Sequence, residues 1–155
     1  MVSMNQLTKE KRVQVLAALV EGNSIRSTVR MTGISKNTIT KLLRDVGKVC
    51  DSYQNKVMVD LDCKRIQVDE IWSFCYAKEK NVPEDLRGQF GYGDVWTWVA
   101  MDADTKLVPC WLLGGRSAGW ASGFLRDLAG RLKHRVQLTS DGHKAVVQGI
   151  FRFFV

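Results

Sequence analysis

Ile66-Gln67-Val68-Asp69-Glu70-Ile71-Trp72 and Val136-Gln137-Leu138-Thr139-Ser140-Asp141-Gly142 are the two stretches on which the reading of this chain turns. Both are built from residues that favour extended backbone. Each carries an aspartate, one within its strand and one at the strand's end, 72 positions apart. Carboxylates brought together from two strands can hold divalent metal ions for phosphoryl transfer. Taken singly, Asp69 reads as readily as a strand acid paired with a base, and Asp141 as the first residue of an Asp-Gly turn. Their joint placement, at the ends of strands expected to be neighbours, favours a metal site. Glu70 rivals Asp69 as the first ligand: alternation puts the two on opposite faces of the strand, and the period does not choose between them.

Working outward, the strand signal of Ile66 to Tyr76 recurs in Val95-Trp96-Thr97-Trp98-Val99-Ala100-Met101. Asp102-Ala103-Asp104-Thr105 predicts a hairpin turn, followed by a third strand over Lys106 to Leu113. Pro109 cannot donate to a ladder, so that strand belongs on an edge. Trp120, Phe124, Leu125, Leu128 and Leu132 recur at helical spacing and predict a helix over about 117–133. Arg135 to Ser140 is then a fourth strand, parallel to the first if the crossover has the usual hand. The order is β-β-β-α-β. A long polar loop from Lys78 to Gly93 follows the first strand, and its Lys78, Lys80 and Arg87 read either as nucleic-acid contacts or as a solvated insertion.

The first 48 residues are of a different kind. Val13, Leu16, Ala17 and Val20 predict an amphipathic helix over about 8–21, ended by Gly22-Asn23. Ser24 caps a second helix to about Met31, Thr32-Gly33-Ile34 makes a tight turn, and Ser35 caps a third helix carrying Ile39, Leu42, Leu43 and Val46. Three short helices with a glycine turn before the last predict a helix-turn-helix. Its last helix would offer Lys36, Asn37, Thr40, Lys41 and Arg44 to base edges and phosphates of double-stranded DNA. The plainer alternative is a three-helix scaffold with a solvated charged face.

Charge supports the first reading. The chain of 155 residues has a formal net charge of +7, and residues 1–50 hold nine basic and three acidic side chains, which is six of that surplus. A basic unit therefore precedes a nearly neutral body, with residues 49–64 expected as the linker and 65–155 as the second domain. A hydrophobic fraction of 45% argues for a packed core rather than disorder. No apolar run is long enough to span a bilayer and no signal peptide is evident, so a cytoplasmic, nucleoid-associated protein is expected. Cys50, Cys63, Cys75 and Cys110 have no zinc-type spacing and are expected as free thiols.

A family resemblance now emerges. Gln67-Val68-Asp69-Glu70-Ile71-Trp72-Ser73-Phe74, Gly93-Asp94-Val95-Trp96-Thr97-Trp98 and Leu138-Thr139-Ser140-Asp141-Gly142-His143-Lys144-Ala145 resemble segments of transposases of IS1-type bacterial insertion sequences, over about residues 8–145. The resemblance implies an α+β or α/β chain: a helix-turn-helix followed by the ribonuclease-H-like mixed sheet of DDE transposases. It implies Asp69 and Asp141 as catalytic, metal-binding acids, with Glu70 and His143 auxiliary. It also implies two Mg²⁺ or Mn²⁺ ions, DNA of the element's terminal repeats and target as partner, and a homo-oligomer. In that family a glutamate on a later helix completes the ligand set, and the ions so held activate water or a DNA 3′-hydroxyl for in-line displacement at phosphorus.

Here the pattern departs from the family. Residues 142–155 contain no Asp or Glu, Val146 stands where a tyrosine is common, and the apolar ending through Phe154-Val155 is unlike the family. The expectation is a catalytic domain cut short, with the third acid missing and transposition chemistry impaired. Val95, Thr97, Val99 and Met101 on one side of their strand, and Trp96, Trp98 and Ala100 on the other, imply burial on both faces, so an exposed apolar patch and aggregation are expected. The competing reading is a catalytically inactive DNA-binding regulator that inhibits transposition.

Overall fold

A computed structural model describes residues 7–141 of the chain. Four helices and a four-stranded mixed sheet make an α+β architecture in two compact units, residues 1–55 and 56–155.

In the first unit, α1 (Lys9–Val20), α2 (Ile25–Thr32) and α3 (Lys36–Val57) follow one another with short turns. Side-chain oxygens cap the first two helices: Thr8 accepts from the Lys11 amide and Ser24 from the Ser27 amide. Ser35 does the same for α3, accepting from the Thr38 amide at 3.3 Å. Gly33 ends α2 with φ +67°, a left-handed conformation that a side chain would strain, and its amide donates to the Val29 carbonyl at 2.9 Å.

The core of this unit is Val15, Ile34 and Ile39, packed by Leu7, Leu19, Ile25, Val29 and Leu42. The α1 stripe differs from the expected one: Val15 and Leu19 face inward, whereas Val13 and Val20 are exposed. Both sets have helical spacing, and packing against Ile34 and Ile39 selects one of them. α3 continues to Val57 rather than stopping near Val46. Gly47 alone does not break a helix, and no proline follows to end it.

Residues 58–64, expected to be linker, are bonded into the second unit. Leu61 pairs with Leu132 through two backbone hydrogen bonds, Leu61 N–H to Arg131 O at 2.9 Å and Lys133 N–H to Leu61 O at 3.0 Å. The Gln137 amide donates to Lys64 O at 2.9 Å, which leads the chain directly into the sheet.

That sheet holds β1 (Arg65–Cys75), β2 (Gly93–Asp102), β3 (Cys110–Gly114) and β4 (Gln137–Thr139) in the order β3-β2-β1-β4. β1–β2 and β2–β3 are antiparallel, and β1–β4 is parallel as expected for a strand reached by a helical crossover. β3 is an edge as expected, but it begins at Cys110 rather than Lys106, so Pro109, from which the edge was inferred, lies outside it. A tight turn uses the intervening residues: Lys106 adopts φ +64°, and Asp102 accepts from the Thr105 hydroxyl at 2.6 Å.

α4 (Ala118–Arg131) covers one face of the sheet. Its Ala121, Phe124, Leu125 and Leu128 bury against Cys63, Ile66, Val68, Trp98, Ala100 and Cys110. Fully burying side chains of the size of Phe124 or Leu128 contributes roughly 1.5–3 kcal/mol each, enough to dominate the stability of this unit. Close approach at the start of α4 requires glycine, because a Cβ on Gly114 would lie 2.4 Å from the Trp120 ring. The other face carries the cross-strand rows Asp69–Val99–Trp111 and Ile71–Thr97–Leu113. Ile71, Trp111 and Leu113 on that face are exposed among the described residues.

Candidate functional site

Parallel pairing sets the geometry of the acids. Arg65 pairs with Gln137, Ile66 with Leu138 and Gln67 with Thr139, a constant offset of 72 residues. The same offset separates Asp69 from Asp141, so the second aspartate follows its strand to the level of the first. One carboxylate oxygen each from Asp69, Glu70 and Asp141 lies within 4.8 Å of the other two.

Glu70 joins this group although strand alternation starts it on the opposite face from Asp69. The β1–β4 register runs through Gln67 and Thr139, two positions before Asp69, and the Asp69, Glu70 and Asp141 carboxylates meet just beyond it. Asp69 is further fixed by accepting a hydrogen bond from the Glu70 amide at 2.8 Å. The competition between Asp69 and Glu70 thus has no single winner in the structure, since both converge on Asp141.

The environments of the two differ. Asp69 and Asp141 are exposed. The Glu70 side chain is only 3% exposed and forms an ion pair with Arg116, Oε2 to Nη2 at 3.7 Å. The Arg116 guanidinium carbon also lies 4.4 Å from the centre of the Trp96 ring. Sequence reasoning missed Arg116, which follows the Gly114-Gly115 break and belongs to no periodic pattern. A set of three carboxylates suits a hard divalent cation that prefers oxygen donors, with Arg116 as a fixed positive charge at its margin. His143 and the segment 142–155 lie outside the described residues.

In the helical unit, Lys36, Asn37, Lys41 and Arg44 are exposed and Thr40 is half-buried. Lys41 forms an ion pair with Asp45 one turn on, and both line a groove between α1 and α3 with Leu16 and Leu42. Both partners of that pair are exposed, so Lys41 lies on the solvent face of α3 as expected, with a surface ion pair beside it. In the loop after β1, two short 3-10 turns, Glu79–Asn81 and Glu84–Leu86, replace a featureless insertion.

Three other side chains have proton affinities shifted by their surroundings. His134 Nε2 meets Asp62 Oδ1 at 2.6 Å, and this hydrogen bond, followed by one to the Arg135 carbonyl, holds the imidazole pKa above its usual value. Burial pushes the Cys110 thiol well above the ordinary range and the Cys63 thiol up, so both stay protonated. All four cysteines are free thiols. No helix among the described residues is long and apolar enough to cross a membrane.

No family model and no curated protein matches this chain. A likeness exists to a solved structure. It is a chain of the crystal structure of the Mos1 strand transfer complex, at 15% identity and a TM-score of 0.37, over 98% of this chain and 59% of that one. The chain spans less than two thirds of the length of that protein.

Proposed function

We propose that this chain is a DNA-binding protein of transposase type, related to those of IS1-type insertion sequences. In this reading α1–α3 form a helix-turn-helix for the element's ends, and the sheet is a ribonuclease-H-like catalytic domain. The observation that carries the proposal is the parallel β1–β4 register, whose offset of 72 matches the separation of Asp69 and Asp141 and accompanies their approach to Glu70. A stray pair of strand acids has no reason to share the offset of the ladder.

Asp69, Glu70 and Asp141 would hold Mg²⁺ or Mn²⁺. Bound there, the ion would supply activation of water or a 3′-hydroxyl and charge stabilisation at a phosphodiester. The chain's own part is to orient those ligands: the Glu70 amide holds Asp69, and Arg116 holds Glu70. In the helical unit, Lys36, Asn37, Thr40 and Arg44 contact duplex DNA, with Lys41 released from Asp45 on binding.

The second reading, a DNA-binding regulator without cleavage activity, shares the DNA contact that the basic surplus of residues 1–50 supports and differs in lacking phosphodiester chemistry. Incubating the chain with end-repeat duplex and Mg²⁺ or Mn²⁺, beside an Asp69→Ala variant, separates the two. Metal-dependent strand cleavage that disappears in the variant supports the enzyme. Equal duplex binding by both proteins, with no cleavage by either, supports the regulator.

A further inference from the structure

The face of β1 that α4 covers extends beyond Glu70 to Trp72 and Phe74, which are 39% and 48% exposed. Their ring centroids are 5.7 Å apart with a tilt of 41°. Trp72 stands directly across from Trp96 of β2, and each indole carries a cation. Lys78 Nζ is 5.0 Å from the Trp72 ring centre, and Arg116 is the cation over Trp96. The buried side of α4 reaches the sheet around Ile66, Val68, Trp98 and Ala100, so this aromatic ridge lies open beyond the core.

Two exposed rings beside two cations have a definite complement: a flat π-faced group joined to an anion. A nucleobase with its phosphate has that form, because bases stack on aromatic side chains irrespective of sequence while Lys and Arg take the backbone charge. Of the two cations Arg116 is ion-paired with Glu70, so Lys78 is the one that meets the backbone charge; Glu79 and Asp94 beside it accept hydrogen bonds from each other's amides. The ridge also adjoins the acidic group: Trp72 is two residues, about 7 Å, along the strand from Glu70.

We propose that Trp72, Phe74 and Lys78, with Trp96 and Arg116, form a stacking platform for an unpaired nucleotide of the DNA strand held at the acids. The inference rests on reading DNA as the substrate. It adds that the strand is engaged with a base out of the duplex stack.

The test uses the full chain in EDTA, with a short fluorescent oligothymidylate as the single-stranded probe and an end-repeat duplex as the control. Trp72→Leu and Phe74→Leu keep apolar bulk but remove the stacking rings, and Lys78→Gln removes a cation. The expected result is single-strand affinity weakened about tenfold or more in Trp72→Leu, with duplex affinity unchanged. Retained duplex binding shows that the variant's helical unit is folded, and an unchanged circular dichroism melt shows the same for its sheet. Oligothymidylate affinity equal to the parent in both ring variants overturns the proposal. So does a change from self-associated to monomeric chain in Trp72→Leu with single-strand affinity intact, which would make the ridge a contact between copies. Asp69→Asn is expected to keep single-strand binding in EDTA, and its metal response is read separately. A failed metal site and a failed stacking platform therefore give different results.

Discussion

Replacing Asp69 by Asn should make the protein more stable without metal and less stable with it. The amide oxygen of Asn can still accept from the Glu70 amide, so the local hydrogen bond survives while one negative charge is removed. Asp69 has two acidic neighbours within 4.8 Å. In water each such pair repels by about 0.9 kcal/mol, and physiological salt reduces the two together to about 1 kcal/mol. Relief of that repulsion in EDTA should raise the melting temperature of the 56–155 unit by about 4–8 °C.

Magnesium should then reverse the order. A ligand present at ten times its Kd stabilises the native state by about 1.4 kcal/mol, and only the parent, with three carboxylates, should gain most of that. Differential scanning calorimetry of both proteins in EDTA and across a Mg²⁺ titration gives all four values. The reasoning fails if Asp69→Asn is destabilised in EDTA, which would make the carboxylate a structural partner. It fails equally if Mg²⁺ raises both melting temperatures alike.

Three further outcomes are expected. Arg44→Ala should weaken duplex binding across sequences and lower the slope of log affinity against log salt by about one, checked by fluorescence anisotropy at several salt concentrations. An NMR titration should find His134 protonated to higher pH than an ordinary histidine, and Asp62→Asn should remove that elevation. Because the folded-state pKa is raised, the pair's contribution is full below the unfolded histidine value and is lost as pH rises through the folded one. Its lower limit comes from Asp62, whose depressed pKa removes the contribution only in stronger acid. In the native protein Cys50 and Cys75 should react readily with a maleimide, whereas Cys63 and Cys110, both buried, should react only on unfolding, as counted by mass spectrometry.

The parts of the fold legible in the sequence were those where a pattern had one physical outcome. Ile66 to Cys75 could form little but a strand, and Phe124, Leu125 and Leu128 spelled one buried helical face, both as observed, whereas Trp120 is exposed and Pro109, from which the edge was inferred, precedes β3. Where two patterns were equally good, packing decided. α1 offered Val13 with Val20 and also Val15 with Leu19, and only contact with Ile34 and Ile39 distinguishes them.

The candidate site divides in the same way. The 72-residue separation of Asp69 and Asp141 was visible in the letters, but its equality with the ladder offset needed the register. Glu70 was assigned by alternation to the far side, and nothing in the local sequence announces that its carboxylate comes within reach of Asp69 and Asp141. Arg116 left no signal at all. A lone arginine after two glycines gains meaning only when the hairpin and α4 bring it against Glu70 and Trp96.

The short parallel ladder between β1 and β4 restricts where the chain can change length. Adding a single residue anywhere from Arg116 to Arg135 would demand either compensation in α4 or a slip of β4 by one step. That slip turns Leu138 out of the core and carries the second aspartate away from the first. The loop from Lys78 to Tyr92 lies outside that path, connecting antiparallel neighbours whose pairing is settled from the other end. Insertions and deletions should therefore accumulate before β2 and be rare between β3 and β4, so that segment acts as the molecule's ruler.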